Sequence, residues 1–168
     1  VWLRPASNPQ RKTQWTAVLV ESPDGEGLVS VDTTLPNRLI ARALEERAIA
    51  ELADWELVKR EVTMGSSRLD FLLAHGDGRQ LALEVKSVTL VEKGVGLFPD
   101  AVTERGARHV RELLRIAQKP GWEAAVLFVL RPLGAVHRKV RIAQDLLRRV
   151  VRIGGNRHPD AGAAVHAA

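Results

Sequence analysis

The chain has 168 residues, 45% hydrophobic and 27% charged, enough for one globular domain with a hydrophobic core, and its lack of cysteine excludes disulfides and thiolate metal sites. Its longest apolar run, Ala124 to Leu130, falls far short of the about 20 residues of a membrane span, and no charged-then-apolar leader opens it, so a cytoplasmic protein is expected. The net charge of +5 invites a nucleic-acid partner, but residues 1–130 hold 17 Lys/Arg against 18 Asp/Glu and residues 131–168 hold 8 against 2, which confines the surplus to a tail. Such a tail fits either phosphate binding or a solvated extension.

In chain order, Val1-Trp2-Leu3 and Trp15 to Val20 read as two strands joined by a basic loop, and Leu28 to Val31 as a third extended run. The first residue is Val1, not Met, as in a fragment. A helix follows, capped by Thr33 or Thr34, with Pro36 in its first turn and Leu39, Ile40, Ala43 and Leu44 as its apolar stripe. Val58 to Val62 is a strand, and Leu69 to Leu73 and Leu81 to Lys86 alternate with the period of two expected of a further pair. A second helix is expected from about Ala101 to Gln118, capped by Asp100, with Val102, Gly106, His109, Val110, Leu113 and Ala117 near one face. Pro120-Gly121 stops it, and Ala124 to Leu130 reads as a strand at the centre of a sheet covered on both faces. Val140 to Ile153 has helical amphipathicity. Helix, three strands, helix, strand describes an α/β or α+β fold with a mixed sheet flanked by helices, the order of restriction-endonuclease-like domains.

The chemistry gathers on Asp70 and Glu84-Val85-Lys86. A three-residue Gly76-Asp77-Gly78 loop pairs His75 with Arg79 and carries Asp70 opposite Glu84, whereas a two-residue Asp77-Gly78 loop would turn the acids to opposite faces. Directly opposed residues have Cβ atoms about 4.5 to 5.5 Å apart, so two carboxylates there can share a divalent cation. Lys86, on the same face, would orient the attacking water or offset charge in the transition state. The same spacing fits an exposed cross-strand cluster in which Lys86 merely neutralises the acids. No histidine pair has metal-ligand spacing. His109, Arg105 and Lys93 make a phosphate-contacting set near this face, or else a solvated helix face with a structural histidine; Glu104 is a further acid or a helix-dipole partner. Trp2 and Trp15 suit base stacking, with core packing the preferred reading.

Three segments carry a family resemblance: Ser67-Arg68-Leu69-Asp70-Phe71-Leu72-Leu73, Glu84-Val85-Lys86-Ser87-Val88-Thr89-Leu90 and Phe98-Pro99-Asp100-Ala101-Val102-Thr103-Glu104-Arg105-Gly106, with His109 one turn on. Together with Asn8-Pro9-Gln10-Arg11-Lys12 and Thr34-Leu35-Pro36-Asn37-Arg38, they resemble the sugar fermentation stimulation (SfsA) family of bacteria and archaea, from about Val1 to Leu130. The resemblance implies an OB-fold N-terminal domain, of which residues 1–31 would be the last strands, a PD-(D/E)xK nuclease-like domain over 32–132, and a divergent basic segment over 133–168. It also implies DNA binding, a Mg²⁺ or Mn²⁺ site at Asp70 and Glu84 with Lys86 completing the catalytic motif, and a regulatory role in sugar (maltose) metabolism. Catalytic phosphodiester hydrolysis and non-catalytic DNA-binding regulation both fit. Where the family often carries an acidic pair, this chain has Ala41 and Arg42, so an assisting acid would have to come from Glu45 or Glu46.

Overall fold

The structure, a computed structural model, describes residues 1–22, 25, 27–65, 67–89, 91–92, 95–98, 104–133 and 139–142. The strands are β1 (Trp2–Pro5), β2 (Trp15–Glu21), β3 (Leu28–Ser30), β4 (Trp55–Met64), β5 (Ser67–His75), β6 (Gln80–Val88), β7 (Val91–Glu92), β8 (Val95–Phe98), β9 (Trp122–Leu130), β10 (Pro132–Leu133) and β11 (Lys139–Ile142). Helix α1 (Leu35–Glu45) lies between β3 and β4, and α2 (Glu104–Ala117) between β8 and β9. No helix among the described residues is long and apolar enough to cross a membrane.

The central sheet runs β4-β5-β6-β9, antiparallel except for the β6–β9 pair, which is parallel because α2 carries the chain back across the sheet. The mixed sheet between helices agrees with the expected α/β class. On β6, Leu81, Leu83 and Val85 join Phe71, Leu73, Ala41 and Leu44 in the core under α1, while Ala82 joins Leu113, Ile116 and Ala124 in the core under α2. Burial on both sides makes β6 the middle of the fold.

The β5–β6 hairpin has the expected three-residue loop: His75 N–H donates to Arg79 O at 2.9 Å, and Gly78 takes the left-handed φ of 90° that such a loop needs. Helix α1 departs from the expected stripe. Of the expected residues Leu44 is buried and Ile40 packs against the core, but Leu39 is 50% exposed and the other buried apolar residues are Pro36 and Ala41, because the face that meets β4 and β6 passes through 37, 41 and 44 rather than 39 and 43. The residue at its N-cap is held from outside. Asp32 Oδ1 accepts Thr34 N–H at 3.0 Å and the Thr34 hydroxyl at 2.7 Å, whereas Thr34 makes no side-chain cap bond to the helix.

Strand β9 is the end strand of its sheet among the described residues, not a central one, and most of its side chains are partly exposed. Residues 139–142 are extended and pair parallel with Val95–Phe98 in a sheet β11-β8-β7, where sequence periodicity favoured a helix; 143–153 lie outside the described residues. The N-terminal strands form a sheet β1-β2-β3-β10. Arg131 ties it to the central sheet, its N–H donating to Val88 O at 2.9 Å and its carbonyl accepting Ser30 N–H at 3.2 Å.

Candidate metal centre

Leu69 and Phe71 would share a face of a regular strand. Leu69 instead packs with Leu113 and Ile116 of α2, and Phe71 with Ala41 and Leu44 of α1, so β5 changes faces at Asp70. Both neighbouring strands register the change. On β4, Glu61 adopts a left-handed φ of 55° between the pairs Arg60↔Phe71 and Val62↔Leu69; on β6, pairing ends at Phe71↔Leu83. The predicted register is therefore present, but the ladder stops one pair short of Asp70 and Glu84. The reason is the Asp70 carboxylate itself: Oδ2 accepts Val85 N–H at 2.7 Å, and Oδ1 accepts Asn37 Nδ2 of α1 at 2.6 Å.

Glu84 points the other way, toward α2. It is 3% exposed, and its Oε1 accepts from Lys86 Nζ at 2.5 Å and from His109 Nδ1 at 2.8 Å. Its Oε2 is buried with no hydrogen-bond partner among the described residues. Burial pushes the Asp70 carboxyl above its ordinary range, and the Glu84 charge adds to this; Val85 N–H, Asn37 and Lys86 pull in the opposite direction. The two carboxylates repel each other, and one keeps a buried oxygen with no hydrogen-bond partner among the described residues. Among the described residues no group of three or more His, Cys, Asp or Glu side chains gathers for a metal, and an ion held by Asp70 and Glu84 would need water and substrate oxygens to complete its shell.

The structure thus brings together Asp70, Glu84, Lys86 and His109. His109 is buried, against Glu84. Arg105 lies on α2 with its side chain, like that of Glu104, outside the described residues; Lys93 also lies outside them. Glu45 and Glu46 are exposed, and Glu46 accepts from Arg42 at 2.7 Å. Trp2 and Trp15 are 44% and 54% exposed in this chain, not packed in its core. Asn37 is the residue the sequence reading missed. Its signal is positional: it is the polar member of a stripe continued by Ala41 and Leu44, one and two turns on.

A family profile described as "Sugar fermentation stimulation protein RE domain" matches residues 34–146. The chain belongs to the sugar fermentation stimulation protein family. The match runs past Arg131, where the motif resemblance fades. A family homologue from Shouchella clausii is 54% identical over 129 residues, covering 77% of this chain and 55% of its own length. One from Clostridium acetobutylicum is 42% identical over 131 residues, covering 78% and 56%. One from Gloeobacter violaceus is 46% identical over 132 residues, covering 77% and 54%. The chain therefore spans a little over half the length of these SfsA-family relatives. The solved structure of SfsA from Pyrococcus furiosus, in complex with Ca²⁺, is similar with a TM-score of 0.74 and 26% identity, over 90% of this chain and 65% of that one.

Proposed function

We propose that this chain carries a PD-(D/E)xK-type site of the restriction-endonuclease class, which acts on the phosphodiester backbone of DNA with Mg²⁺ or Mn²⁺ held by Asp70 and Glu84. The buried Oε2 of Glu84, without a hydrogen-bond partner among the described residues, carries this reading, since a cation would satisfy an oxygen so placed. The Ca²⁺ in the Pyrococcus furiosus relative supports a hard divalent ion at a family site. When bound, such an ion polarises a phosphoryl group and lowers the pKa of a coordinated water.

The chain's own residues divide the remaining work. Asn37 and Val85 N–H fix the two oxygens of Asp70, and His109 fixes Oε1 of Glu84, so neither carboxylate has to be ordered when a ligand arrives. Lys86 sits on the sheet face of Glu84 with its side chain partly exposed, where it can hold a water or steady negative charge on phosphate. Arg105 and Lys93 would contact flanking phosphates.

One observation favours a second reading, a DNA-binding regulator of sugar metabolism without turnover. Lys86 Nζ is already engaged by Glu84 at 2.5 Å, the arrangement of a self-neutralised cluster. Incubation of the protein with labelled single- and double-stranded DNA, with Mg²⁺, Mn²⁺ or chelator, separates the two. Cleavage that needs metal and is lost in Asp70→Ala and Lys86→Ala is expected. Binding without cleavage under any metal, unchanged in both variants, would refute the catalytic reading and leave the regulator.

A further inference from the structure

The loop joining β1 to β2 folds over the start of α1 and leaves a cleft of about 520 Å³, lined among others by Arg4, Arg11, Thr16, Asp32, Thr34 and Arg38. Three guanidiniums face one carboxylate, so the lining is net positive. Asp32 organises it: Oδ2 accepts from Arg4 Nη2 of β1 and from Arg38 Nη2 of α1, both at 3.2 Å, which makes two guanidiniums from different elements converge. Among the described residues each of these bonds spends one of a guanidinium's several N–H donors, and both arginine side chains remain 50% exposed. Arg11 Nη1 donates to Thr16 Oγ1 at 2.8 Å, which leaves the threonine hydroxyl proton free to turn to a ligand. Behind them the buried guanidinium of Arg131 acts on Asp32 through space, adding positive potential.

We infer that this cleft seats the phosphodiester backbone of a nucleic-acid strand, with Arg4, Arg11 and Arg38 as phosphate-contacting residues. Convergent planar forks match phosphate oxygens in a way that single ammonium groups do not. Position decides for a strand over a free anion. Arg38 follows Asn37 on α1, and consecutive helical side chains diverge by about 100°, so one turn of helix presents Arg38 to the cleft and Asn37 to Asp70. The cleft and Asp70 therefore flank the same turn of α1. The choice of nucleic acid rests on the proposed function; the cleft and its charge do not.

The test is fluorescence anisotropy of a labelled single-stranded oligonucleotide in chelator, so that no cleavage intervenes, across a salt series. Arg11→Gln is the first variant, because Arg11 is exposed and bonds surface threonine hydroxyls; Arg4→Gln/Arg11→Gln is the second. Each lost phosphate contact should flatten the slope of log affinity against log salt by about 0.7, once in the single variant and twice in the double. No binding by the unsubstituted protein, or slopes equal to its own in both arginine variants, would overturn the inference. Inorganic phosphate or polyglutamate bound in an Arg11-dependent manner, with no such dependence for the oligonucleotide, would overturn it in favour of those anions. Altered slopes without Mg²⁺-dependent cleavage would instead defeat the catalytic reading and leave the cleft standing.

Discussion

Replacing Asn37 with alanine removes the bond from Nδ2 to Asp70 Oδ1, 2.6 Å long and directed at a carboxylate that is only partly accessible. Hydrogen bonds to charged groups contribute about 1.5–3 kcal/mol when buried. Partial exposure of Asp70 puts this one at the lower end, about 1.5 kcal/mol. Asn37→Ala should therefore lower the urea midpoint of the metal-free protein with an unchanged m-value, which equilibrium unfolding followed by circular dichroism measures. The effect on metal binding has a separate origin. Asp70 would keep one fixed contact, Val85 N–H, and its rotation about that contact would have to be frozen by the incoming ion. Partners of metal-ligating groups typically change metal affinity by about 10–100-fold, so calorimetric titration with Ca²⁺ or Mg²⁺ should show at least a tenfold weaker site. A folded variant that binds either ion within twofold of the unsubstituted protein would refute the claim that Asn37 pre-positions Asp70.

Metal at about one hundred times its dissociation constant should stabilise the protein by about 2.7 kcal/mol, seen as a rise in melting temperature that chelator reverses and Glu84→Gln abolishes. Gly65→Ala should destabilise by about 1–2 kcal/mol in chemical unfolding, from the left-handed backbone. Gly65 has a φ of 58°, and a Cβ there would run into the side chain of Glu112. Asp32 should confer acid sensitivity. The Thr34 hydroxyl and N–H, then Arg38 and Arg4, hold its carboxyl below the usual range against the opposing pull of burial. Its stabilisation is thus complete above the ordinary carboxylate pKa of about 3.9 and lost as pH falls through the lowered folded value. The stability gap between the unsubstituted protein and Asp32→Asn, measured by urea unfolding, should be constant near neutrality and close below about pH 4; a gap that persists at acid pH would show that shape, not charge, is what Asp32 contributes.

The sequence narrowed the hairpin to two registers, and the three-residue Gly76-Asp77-Gly78 loop of the structure selects the one that fixes every pair up to Phe71 and Leu83. The exchange of faces at Asp70 was not legible. Leu69, Phe71 and Leu73 spell an unbroken alternation, and the break lies in the backbone of Glu61 on another strand and in a side chain that displaces a ladder bond. The α1 stripe was misread for a related reason: hydrophobicity selects Leu39 and Ala43, whereas packing against β4 and β6 selects Ala41, which is small enough for close approach, and admits Asn37. On α2, His109, Val110 and Leu113 were legible from helical spacing, but buried Glu112 and Ile116 were not singled out. Residues 139–142 show the limit of periodicity. Their pattern suits a helix, and only a partner strand at Val95–Phe98, distant in sequence, makes them extended.

The exchange of faces at Asp70 also bears on how this protein can vary. Leu69 answers to one helix and Phe71 to the other, with the carboxylate on the single residue between them. A cavity or an oversized side chain introduced under either helix is relayed to Asp70 through one peptide unit. Remote core substitutions should therefore shift ion affinity before they unfold the domain, and compensating changes would be found in pairs, one in each core.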